Sequence, residues 1–500
     1  MIPMAERRND SIQALSRRSF LSAGLTGASA LWGLCEGDPA EKRMENTSAA
    51  VRSSDIQVLD IRREFEEYKY RAPYQFGGRT VDRVTLLNIY TRVKTRSGRE
   101  ARGFGSMPLG NAWSFPSTVV GYDQSLEAMK QLAVEIERIT AAHRSPAHPV
   151  DIYFEAEPSY FSAAETVSGR MELREPIPKL CTLVTASPFD AAIHDAFAKA
   201  NGISCYQGYG SHYMSHDLSH YLGDGFKGEF LEQYVRKQPA QSVFLYHSIG
   251  ASDPIFESDI RHRVGDGLPE TLKEWTEADG LTHFKIKLNG GNLKADVDRV
   301  VGIERAVAEA QEARGVKEWK YCCDFNEGCK NVEYLLEFLE GVKQQAPEAI
   351  RRLQYIEQPT SRDLKADSQN VMHQAARIVP VVIDEALVDL ESFHLSRRMG
   401  YSGVALKACK GQTNALLMAA AGQKFKSFLC VQDLTCPGAS LIQSAGLAAH
   451  IPGVFTIEAN SRQYVPAANQ AWTEKFPSLF KIHDGRLGTG VLTGLGLGAV

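Results

Sequence analysis

Residues 283–411 contain five short apolar runs that end in charged side chains, and their order decides the fold: HFKIKLNGG (283–291), YCCDFNEG (321–328), LQYIEQPT (353–360), PVVIDEAL (380–387) and GVALKACKG (403–411). Each run is rich in Val, Ile, Leu, Phe or Tyr and is bounded by Gly, Pro or Asn, which is typical of a buried parallel strand. The charged residues of successive runs lie 23 to 37 positions apart. This interval fits one strand and one helix, so strand and helix are predicted to alternate.

The segments between these runs have apolar residues at three- and four-residue spacing, which predicts amphipathic helices. These segments are 293–313, 330–345, 363–378 and 413–425. Further strands are predicted at 241–249, 426–433 and 453–460, which gives about eight strands. Such a chain is expected to close into a (β/α) barrel, with its functional groups at the carboxyl ends of the strands.

Three carboxylates follow consecutive strands of this predicted barrel, namely Asp324, Glu357 and Asp384. They offer hard oxygen ligands without thiolate or imidazole, so Mg²⁺, or alternatively Mn²⁺, is the expected cofactor. A cation at this position would stabilise the enediolate that forms when a proton is removed next to a carboxylate. The site is therefore predicted to act on a small carboxylate substrate.

Three lysines are candidate acid–base groups. Lys285 and Lys287 are two positions apart, so on a strand they share one face, whereas Lys407 comes from a strand on the other side of the barrel. Because a nearby like charge lowers the pKa of a lysine, we expect Lys285 and Lys287 to lower each other's pKa and the nearby Mg²⁺ to lower both. Two lysines that flank one carbon allow a proton to leave one face and return to the other.

With these residues the chain resembles the enolase superfamily, most closely the muconate lactonizing enzyme subgroup of its mandelate racemase/muconate lactonizing enzyme family. KIK (285–287) is similar to the family's K-x-K motif, and DFN (324–326) is similar to its D-x-N motif. Glu357, Asp384 and Lys407 are similar to the second metal ligand, the third metal ligand and the lysine of the sixth strand. The resemblance covers most of the chain and implies a lysine base that acts with Mg²⁺.

The resemblance also implies the fold, a modified TIM (β/α)7β barrel with an α+β capping domain. Residues 81–108, with a turn at Ser97-Gly98, resemble the strands of such a cap, and residues 187–210 resemble its helical segment. The expected organisation is a signal segment at 1–35, a linker at 36–54, the capping domain at 55–235, the catalytic barrel at 236–465, and a C-terminal segment at 466–500 that completes the cap.

Further residues are assigned supporting or substrate-contacting roles. Supporting roles are predicted for Asn326, Glu385 and Lys410. Residues 71–79 form a candidate specificity loop, in which the Gly77-Gly78 pair is expected to allow movement. Candidate substrate contacts are Phe76, Gly77, Asp433, Glu458, Asn460 and Arg462, with Tyr464 as a further candidate. An ordinary hydrogen-bonded loop explains the candidates beyond position 432 equally well.

The chain departs from the family pattern in ways that leave the substrate open. Gly411-Gln412 replaces the usual Gly-Gly, the segment 432–440 lacks the His of the mandelate racemase and sugar-acid dehydratase subgroups, and 459–464 lacks the D-x-D of dipeptide epimerases. Opposed lysines favour a racemase or epimerase. Dehydration by β-elimination and cycloisomerisation need the same metal and one lysine, so they stay open. An exported ligand-binding protein without turnover is an alternative of another class, against which the intact lysines argue.

Residues 15–33, LSRRSFLSAGLTGASALWG, place Arg17-Arg18 before an apolar run rich in small residues and resemble a twin-arginine export signal. We therefore expect a periplasmic or otherwise exported protein, with a fortuitous basic–apolar N-terminus as the alternative. The run is too short and too weakly apolar for a stable membrane span. Lipid anchoring at Cys35 is disfavoured, because the preceding Leu34 is larger than the residue usual at that position.

Composition sets bounds on partners and redox chemistry. A net charge of −4 without a strong basic cluster argues against a nucleic-acid partner. Separately, a homo-oligomer is expected. The nine cysteines are odd in number and scattered through predicted core strands, which does not indicate a disulfide framework. Cys322, Cys323 and Cys329 lack the spacing of a zinc site and are predicted to be core residues.

Overall fold

The computed structural model describes residues 52–499, so the predicted signal segment and most of the predicted linker lie outside the described residues. The described chain begins with an antiparallel sheet of three strands in the order β1-β2-β3. The strands are β1 Ile56–Phe76, β2 Arg79–Thr95 and β3 Glu100–Pro108. The predicted turn at Ser97-Gly98 joins β2 to β3, where Gly98 adopts a positive φ of 92°.

Five helices follow this sheet. They are α1 Asn111–Ser114, α2 Tyr122–Ala142, α3 Pro149–Arg170, α4 Lys179–Asn201 and α5 Ser219–Leu222. Helix α4 packs directly on β3 because the strand carries glycines at the contact. A Cβ atom at Gly103 would lie 2.1 Å from the carbonyl oxygen of Ala192, and one at Gly105 would lie 2.0 Å from that of Pro188. The sheet and helices form the α+β capping region expected from the sequence.

Eight parallel strands form a closed barrel, because the last strand pairs with the first. The strands are β4 Ser242–Ile249, β5 His283–Lys287, β6 Lys320–Asp324, β7 Leu353–Glu357, β8 Val381–Ile383, β9 Gly403–Leu406, β10 Phe428–Val431 and β11 Thr456–Glu458. A short strand, β12 Arg486–Gly488, pairs antiparallel with β4 on the outside of this ring. The predicted fold class, a TIM-type barrel with an α+β cap, is confirmed.

Helices surround the barrel strands. They are α6 Leu272–Asp279, α7 Leu293–Arg314, α8 Val332–Gln345, α9 Pro347–Arg352, α10 Leu390–Arg398, α11 Gln412–Lys424, α12 Ala439–His450, α13 Ser461–Tyr464, α14 Gln470–Thr473 and α15 Pro477–Phe480. Three of the four predicted helices are present. The side chains of Asn292 and Asn331 cap the first two of these, each by accepting a hydrogen bond from a backbone N–H.

The fourth predicted helix, at 363–378, is wrong. This segment forms turns with a single 3-10 turn at Ala375–Arg377. Its polar groups bind other segments instead: Asn370 accepts from the N–H of Val332 at 2.9 Å, and the N–H of Met372 donates to the carbonyl of Met399 at 2.5 Å. These tertiary contacts override the local helical tendency, so the apolar spacing alone was misleading.

The barrel interior beneath the charged strand ends is filled by a separate apolar layer. This layer consists of Tyr246, Cys322, Tyr355, Val382, Ala405 and Cys430. Because packed side chains close the barrel from below, polar chemistry is confined to its mouth. The eight cysteines of the described chain are all buried and free, as the core assignment predicted. Within residues 52–499, no helix is both long enough and apolar enough to cross a membrane.

The C-terminal segment contacts both parts of the molecule. Its strand β12 extends the barrel sheet beside β4. Further on, the backbone N–H of Leu497 donates to Asp195 of α4 at 2.8 Å, and the N–H of Cys205 donates to the carbonyl of Gly496 at 2.8 Å. The end of the chain is thereby fixed to the cap.

Candidate active site

The strand register places the first charged side chains at one level of the barrel mouth. Lys287, Asp324 and Glu357 are the last residues of β5, β6 and β7, and their Cα atoms are paired across the sheet. Asp384 follows the next strand, β8, by one residue. Because paired positions in parallel strands point to the same face, these groups converge at the centre of the ring.

Lys285 lies at the centre of the acid cluster and is 0% exposed. Its Nζ atom lies 3.0 Å from Asp324 Oδ2, 2.8 Å from Glu357 Oε2 and 2.8 Å from Glu458 Oε2. A buried ammonium is tolerated only when it is paired, and here three carboxylates from three strands pair with it. Lys285 therefore holds the acids together across the barrel.

Lys287 and Lys407 approach the centre from opposite sides. The strands β5 and β9 are four places apart in the ring of eight, so they face each other. Lys287 Nζ lies 2.5 Å from Asp324 Oδ2, and Lys407 Nζ lies 2.9 Å from Asp384 Oδ2. Lys407 also donates to the carbonyl of Asp433 at 3.3 Å.

The protein groups by themselves raise the pKa values of the three lysines. Burial opposes the charged form of Lys285, yet the carboxylates of Glu357, Glu458 and Asp324 outweigh it and hold the lysine pKa well above its ordinary value. The pKa values of Lys287 and Lys407 are also raised, since their nearest acids outweigh burial. The predicted lowering depends on the charge of bound Mg²⁺ as well as on the neighbouring lysine, so it stays a prediction.

The pKa values of the three acids shift in different directions. Burial alone would raise the pKa of Asp384, but Lys407 and Lys410 bring it down to about 2. Burial likewise opposes ionisation of Asp324, and Lys287 with Lys285 holds its pKa below the ordinary value. The pKa of Glu357 is raised well above its ordinary value by burial and by the charge of Asp324. The lysines therefore hold Asp324 and Asp384 ionised, whereas the charge of Glu357 is the least compensated of the three.

The predicted supporting residues make contacts with this cluster. The backbone N–H of Asn326 donates to Asp324 Oδ1 at 2.8 Å, and its side-chain amide donates to Glu385 Oε1 at 2.9 Å. Lys410 donates to Asp384 Oδ1 at 3.0 Å and to the carbonyl of Leu387 at 3.2 Å. Asn326 adopts a positive φ of 42°, which turns its side chain toward Glu385.

The donor set fits a hard divalent cation. Asp324, Glu357 and Asp384 present carboxylate oxygens from consecutive strands, as Mg²⁺ prefers. In addition, the buried oxygens Glu385 Oε2 and Gln432 Oε1 have no hydrogen-bond partner. Buried acceptors without donors are costly unless a cation or water satisfies them. The residues present are therefore suited to hold Mg²⁺.

A small cavity opens beside the lysines. The barrel contributes Lys287, Asn326, Lys407, Asp433, Glu458 and Asn460, and the cap contributes Tyr74, Phe76 and Trp113. A second small chamber shares these three aromatic residues and extends into the cap. Its further walls are largely apolar and include Val81, Val84, Pro108, Ala112 and Leu126.

Several predicted substrate contacts lie at this cavity. Phe76, Asp433, Glu458 and Asn460 line it. Gly77 lies against the barrel, because a Cβ atom at this position would be 3.0 Å from Cβ of Asn326. The candidate specificity loop therefore closes directly over the D-x-N segment.

Arg462 and Tyr464 are directed elsewhere, which corrects their assignment. Arg462 pairs with Asp279 at 2.5 Å and contacts Nδ1 of His247 at 2.8 Å. The Tyr464 hydroxyl donates to Asp253 at 2.5 Å. Both residues belong to the short helix α13, which turns their side chains away from the lysine pair toward the segment after β4.

Two contributors were missed in the sequence. Trp113 donates from its indole N–H to Glu385 Oε1 at 2.9 Å, and its ring lies 4.4 Å from Lys407 Nζ. Gln432, at the end of the seventh barrel strand, donates to the carboxylate of Glu357. Gln432 is the first residue of the segment 432–440, from which only Asp433 was predicted to take part in the site. Trp113 carries no local signal, since its role depends on a cap-to-barrel contact.

Comparisons with known proteins agree with this architecture. Residues 267–500 match the family model described as enolase C-terminal domain-like. The fold is similar to that of a muconate lactonizing enzyme from Pseudomonas fluorescens complexed with muconolactone, with a TM-score of 0.56 and 18% identity over 89% of this chain and 97% of that one. No curated protein sequence matches the chain at a significant level.

Two epimerase structures are also similar. The dipeptide epimerase from Enterococcus faecalis complexed with Mg and L-Leu-L-Tyr gives a TM-score of 0.56 and 14% identity, over 88% of this chain and 99% of that one. The L-Ala-D/L-Glu epimerase from Bacillus subtilis gives a TM-score of 0.53 and 14% identity, over 83% of this chain and 91% of that one. The fold and the matched domain define an enolase-type capped barrel. Residues 267–500 match the C-terminal domain of this group, and the described chain shares the fold of muconate lactonizing enzyme and mandelate racemase/muconate lactonizing protein structures.

Proposed function

We propose that the protein is a Mg²⁺-dependent enzyme that removes the α-proton of a carboxylate substrate, and that it acts as a racemase or epimerase. The observation that carries this proposal is the placement of Lys287 and Lys407 on opposite strands, β5 and β9, of one cavity. A carbon held between them has one lysine on each face. Removal by one lysine and return by the other inverts the centre.

The three lysines have different roles. Lys287 and Lys407 line the cavity, whereas Lys285 is buried among three carboxylates. We assign proton transfer to the first two and positioning of the acids to Lys285. Mg²⁺ bound at Asp324, Glu357 and Asp384 would supply positive charge that stabilises the enediolate and offsets the raising effect of the acids on the lysine pKa.

The cavity supports a substrate class. The charged end at Lys287 and Lys407 suits a carboxylate, and the adjoining chamber with Val84, Ala112 and Leu126 suits an apolar group. We propose α-substituted acids that carry an alkyl or aryl group. Ala112→Phe fills the chamber, so it should slow proton exchange on large aryl acids by about tenfold or more while small acids react as before. Equal effects on both classes would contradict this assignment.

The reaction is tested by proton exchange. The Mg²⁺-loaded protein is incubated in D₂O with separate enantiomers of α-substituted carboxylates, and deuterium at the α-carbon is followed by NMR. Incorporation with inversion supports a racemase or epimerase. Incorporation that depends on one lysine and accompanies loss of a β-substituent or ring formation would favour a dehydratase or cycloisomerase. No incorporation with any amino-acid derivative, sugar acid or hydroxy acid would favour a ligand-binding protein.

We also propose export through the segment that holds Arg17-Arg18, since the pair precedes an apolar run rich in small residues. Residues 1–45 fused to a folded reporter should carry it across the membrane. Replacement of both arginines by lysine keeps the charge and should abolish transport through a twin-arginine route. Unchanged transport would contradict the proposal, and labelling of Cys35 with a radioactive fatty acid would reveal lipid anchoring.

A further inference from the structure

A cluster of metal-ligating side chains lies in the cap, outside the site described above. Asp151 is in the first turn of α3, His216 precedes α5, and His220 lies within α5. One ligand atom from each residue lies within 4.8 Å of the other two. We propose that Asp151, His216 and His220 bind a transition-metal cation such as Zn²⁺.

The three side chains lie close together, and rotation of the stacked imidazoles would direct a nitrogen of each at one ion. His216 Nδ1 lies 3.0 Å from Asp151 Oδ1. The imidazoles of His216 and His220 stack with a centroid distance of 4.1 Å and an interplanar angle of 14°. Asp151 is buried, and the Tyr221 hydroxyl donates a hydrogen bond to it, which fixes the carboxylate. Two imidazoles, one carboxylate and a water would complete a tetrahedral site.

The surrounding charges favour a cation. Asp151 contacts His216, and Glu155 and Asp217 lie near His220. This local negative charge attracts a divalent ion. His220 is exposed and His216 half-buried, so an ion can enter from solvent.

The ligand types separate this site from the barrel mouth. Imidazole nitrogens suit Zn²⁺, Ni²⁺ and Cu²⁺, whereas an all-oxygen set suits Mg²⁺. The cap cluster offers two imidazoles, and the acids at the barrel mouth offer oxygens only. The two sites are therefore expected to select different metals when both ions are present.

The position of the cluster gives the metal a structural role. Residues 208–218, which lead into α5, consist of turns and bends. Asp217 organises the following turn by accepting from the backbone N–H groups of Ser219 at 3.0 Å and Gly228 at 2.7 Å. A metal bound by His216, His220 and Asp151 would tie this irregular segment to the long helix α3.

The proposal is tested with tag-free, full-length protein that is stripped with a chelator and returned to excess Mg²⁺. Co²⁺ and Zn²⁺ are then titrated separately. We expect one Co²⁺ per chain with visible d–d absorption typical of a tetrahedral site, and displacement of this signal by Zn²⁺. His220→Ala should weaken binding by more than the roughly 10- to 100-fold that loss of an outer hydrogen-bond partner costs. Tyr221→Phe should give a loss within that smaller range.

Two controls make the result decisive. His212→Ala removes an exposed imidazole from the same segment and should leave the Co²⁺ spectrum unchanged. Asp384→Asn alters the barrel mouth and should also leave the cap signal intact. Protection of residues 208–230 from protease by Zn²⁺ in the wild type, lost in His220→Ala, would support the structural role. Equal binding by the wild type and by His216→Gln and His220→Ala would overturn the proposal.

Discussion

The indole N–H of Trp113 donates to Glu385 Oε1 at 2.9 Å, across the boundary between cap and barrel. The same carboxylate oxygen accepts from the side chain of Asn326 at 2.9 Å. The Trp113 ring also lies 4.4 Å from Lys407 Nζ, close enough for a cation–π contact. One cap residue therefore contacts a lysine of the cavity and the residue next to Asp384.

Trp113→Phe keeps the ring and removes the N–H, so Glu385 Oε1 loses one of its two donors. We expect about 1–3 kcal/mol of lost stability, together with a slower α-proton exchange. Trp319→Phe is a matched control, because its buried indole N–H donates to Tyr321 at 2.8 Å on another part of the barrel. Thermal unfolding should shift in both variants, but exchange should slow only in Trp113→Phe. Equal exchange in the two would show that Trp113 acts on stability alone.

The two cavity lysines are expected to act on opposite enantiomers. Lys287→Met should abolish deuterium exchange from one enantiomer and Lys407→Met from the other, because each ammonium reaches one face of the substrate carbon. Chiral analysis of the products in D₂O measures this. Lys285→Met should impair both, since it leaves three carboxylates without their shared partner. Identical losses of both enantiomers in Lys287→Met and Lys407→Met would rule out the two-face mechanism.

Gly77 and Gly78 offer a paired test of the cap loop. Both have positive φ, 50° and 72°, so alanine at either position costs about 1–2 kcal/mol of backbone strain. A Cβ atom at Gly77 also meets Asn326 Cβ at 3.0 Å, whereas one at Gly78 meets nothing within 4 Å. Gly77→Ala should therefore raise KM and slow exchange, and Gly78→Ala should lower Tm without either change. A similar KM in both variants would contradict the closure of this loop over Asn326.

Buried His148 predicts acid sensitivity of the cap. Its Nε2 donates to the carbonyl of Gly208 at 3.1 Å, and its Nδ1 accepts from the N–H of Val150 at 3.2 Å. Burial lowers its pKa to about 3, with the charge of Asp151 opposing and that of His194 reinforcing the shift. The stabilising effect of neutral His148 is present above its unfolded-state pKa of about 6.5. It is lost as the pH falls toward its folded-state pKa.

His148→Asn keeps an acceptor for the N-terminus of α3 and removes the titration. Between about pH 6 and pH 4, the slope of the unfolding free energy against pH should fall by the amount that corresponds to roughly one bound proton. His212→Asn, at an exposed position of the cap, serves as the control. Denaturant unfolding at several pH values gives the slopes. An unchanged slope in His148→Asn would mean that other groups carry the acid sensitivity.

The sequence predicted the barrel and the central acids because both depend on local patterns. Strand periodicity and spacing were enough to place the ends of three apolar runs at the same edge of the barrel sheet. These ends are Lys287, Asp324 and Glu357. The prediction of a helix at 363–378 was wrong because apolar spacing does not reveal that Asn370 and the backbone of Met372 bind distant segments. Spacing predicts a helix only where tertiary contacts do not override the local tendency.

Contacts between distant segments were beyond this kind of prediction. Trp113 reaches Glu385 over 272 positions, and no local pattern marks such a pair. Arg462 was expected at the cavity, but the turn of α13 directs it to Asp279. The cap cluster did have a signal, the spacing of His216 and His220, yet its third member, Asp151, lies in another helix. Side-chain direction at loops and helix starts depends on tertiary packing.

The pairing that closes the barrel joins Thr456–Glu458 to Phe244–Tyr246, segments more than two hundred residues apart. Contacts of such high sequence separation form late and slowly, because a long loop must be ordered before they repay its entropy. During synthesis, one edge of the first barrel strand stays unpaired until the last barrel strand has been made. Until then that unpaired edge is a site at which incomplete chains can associate.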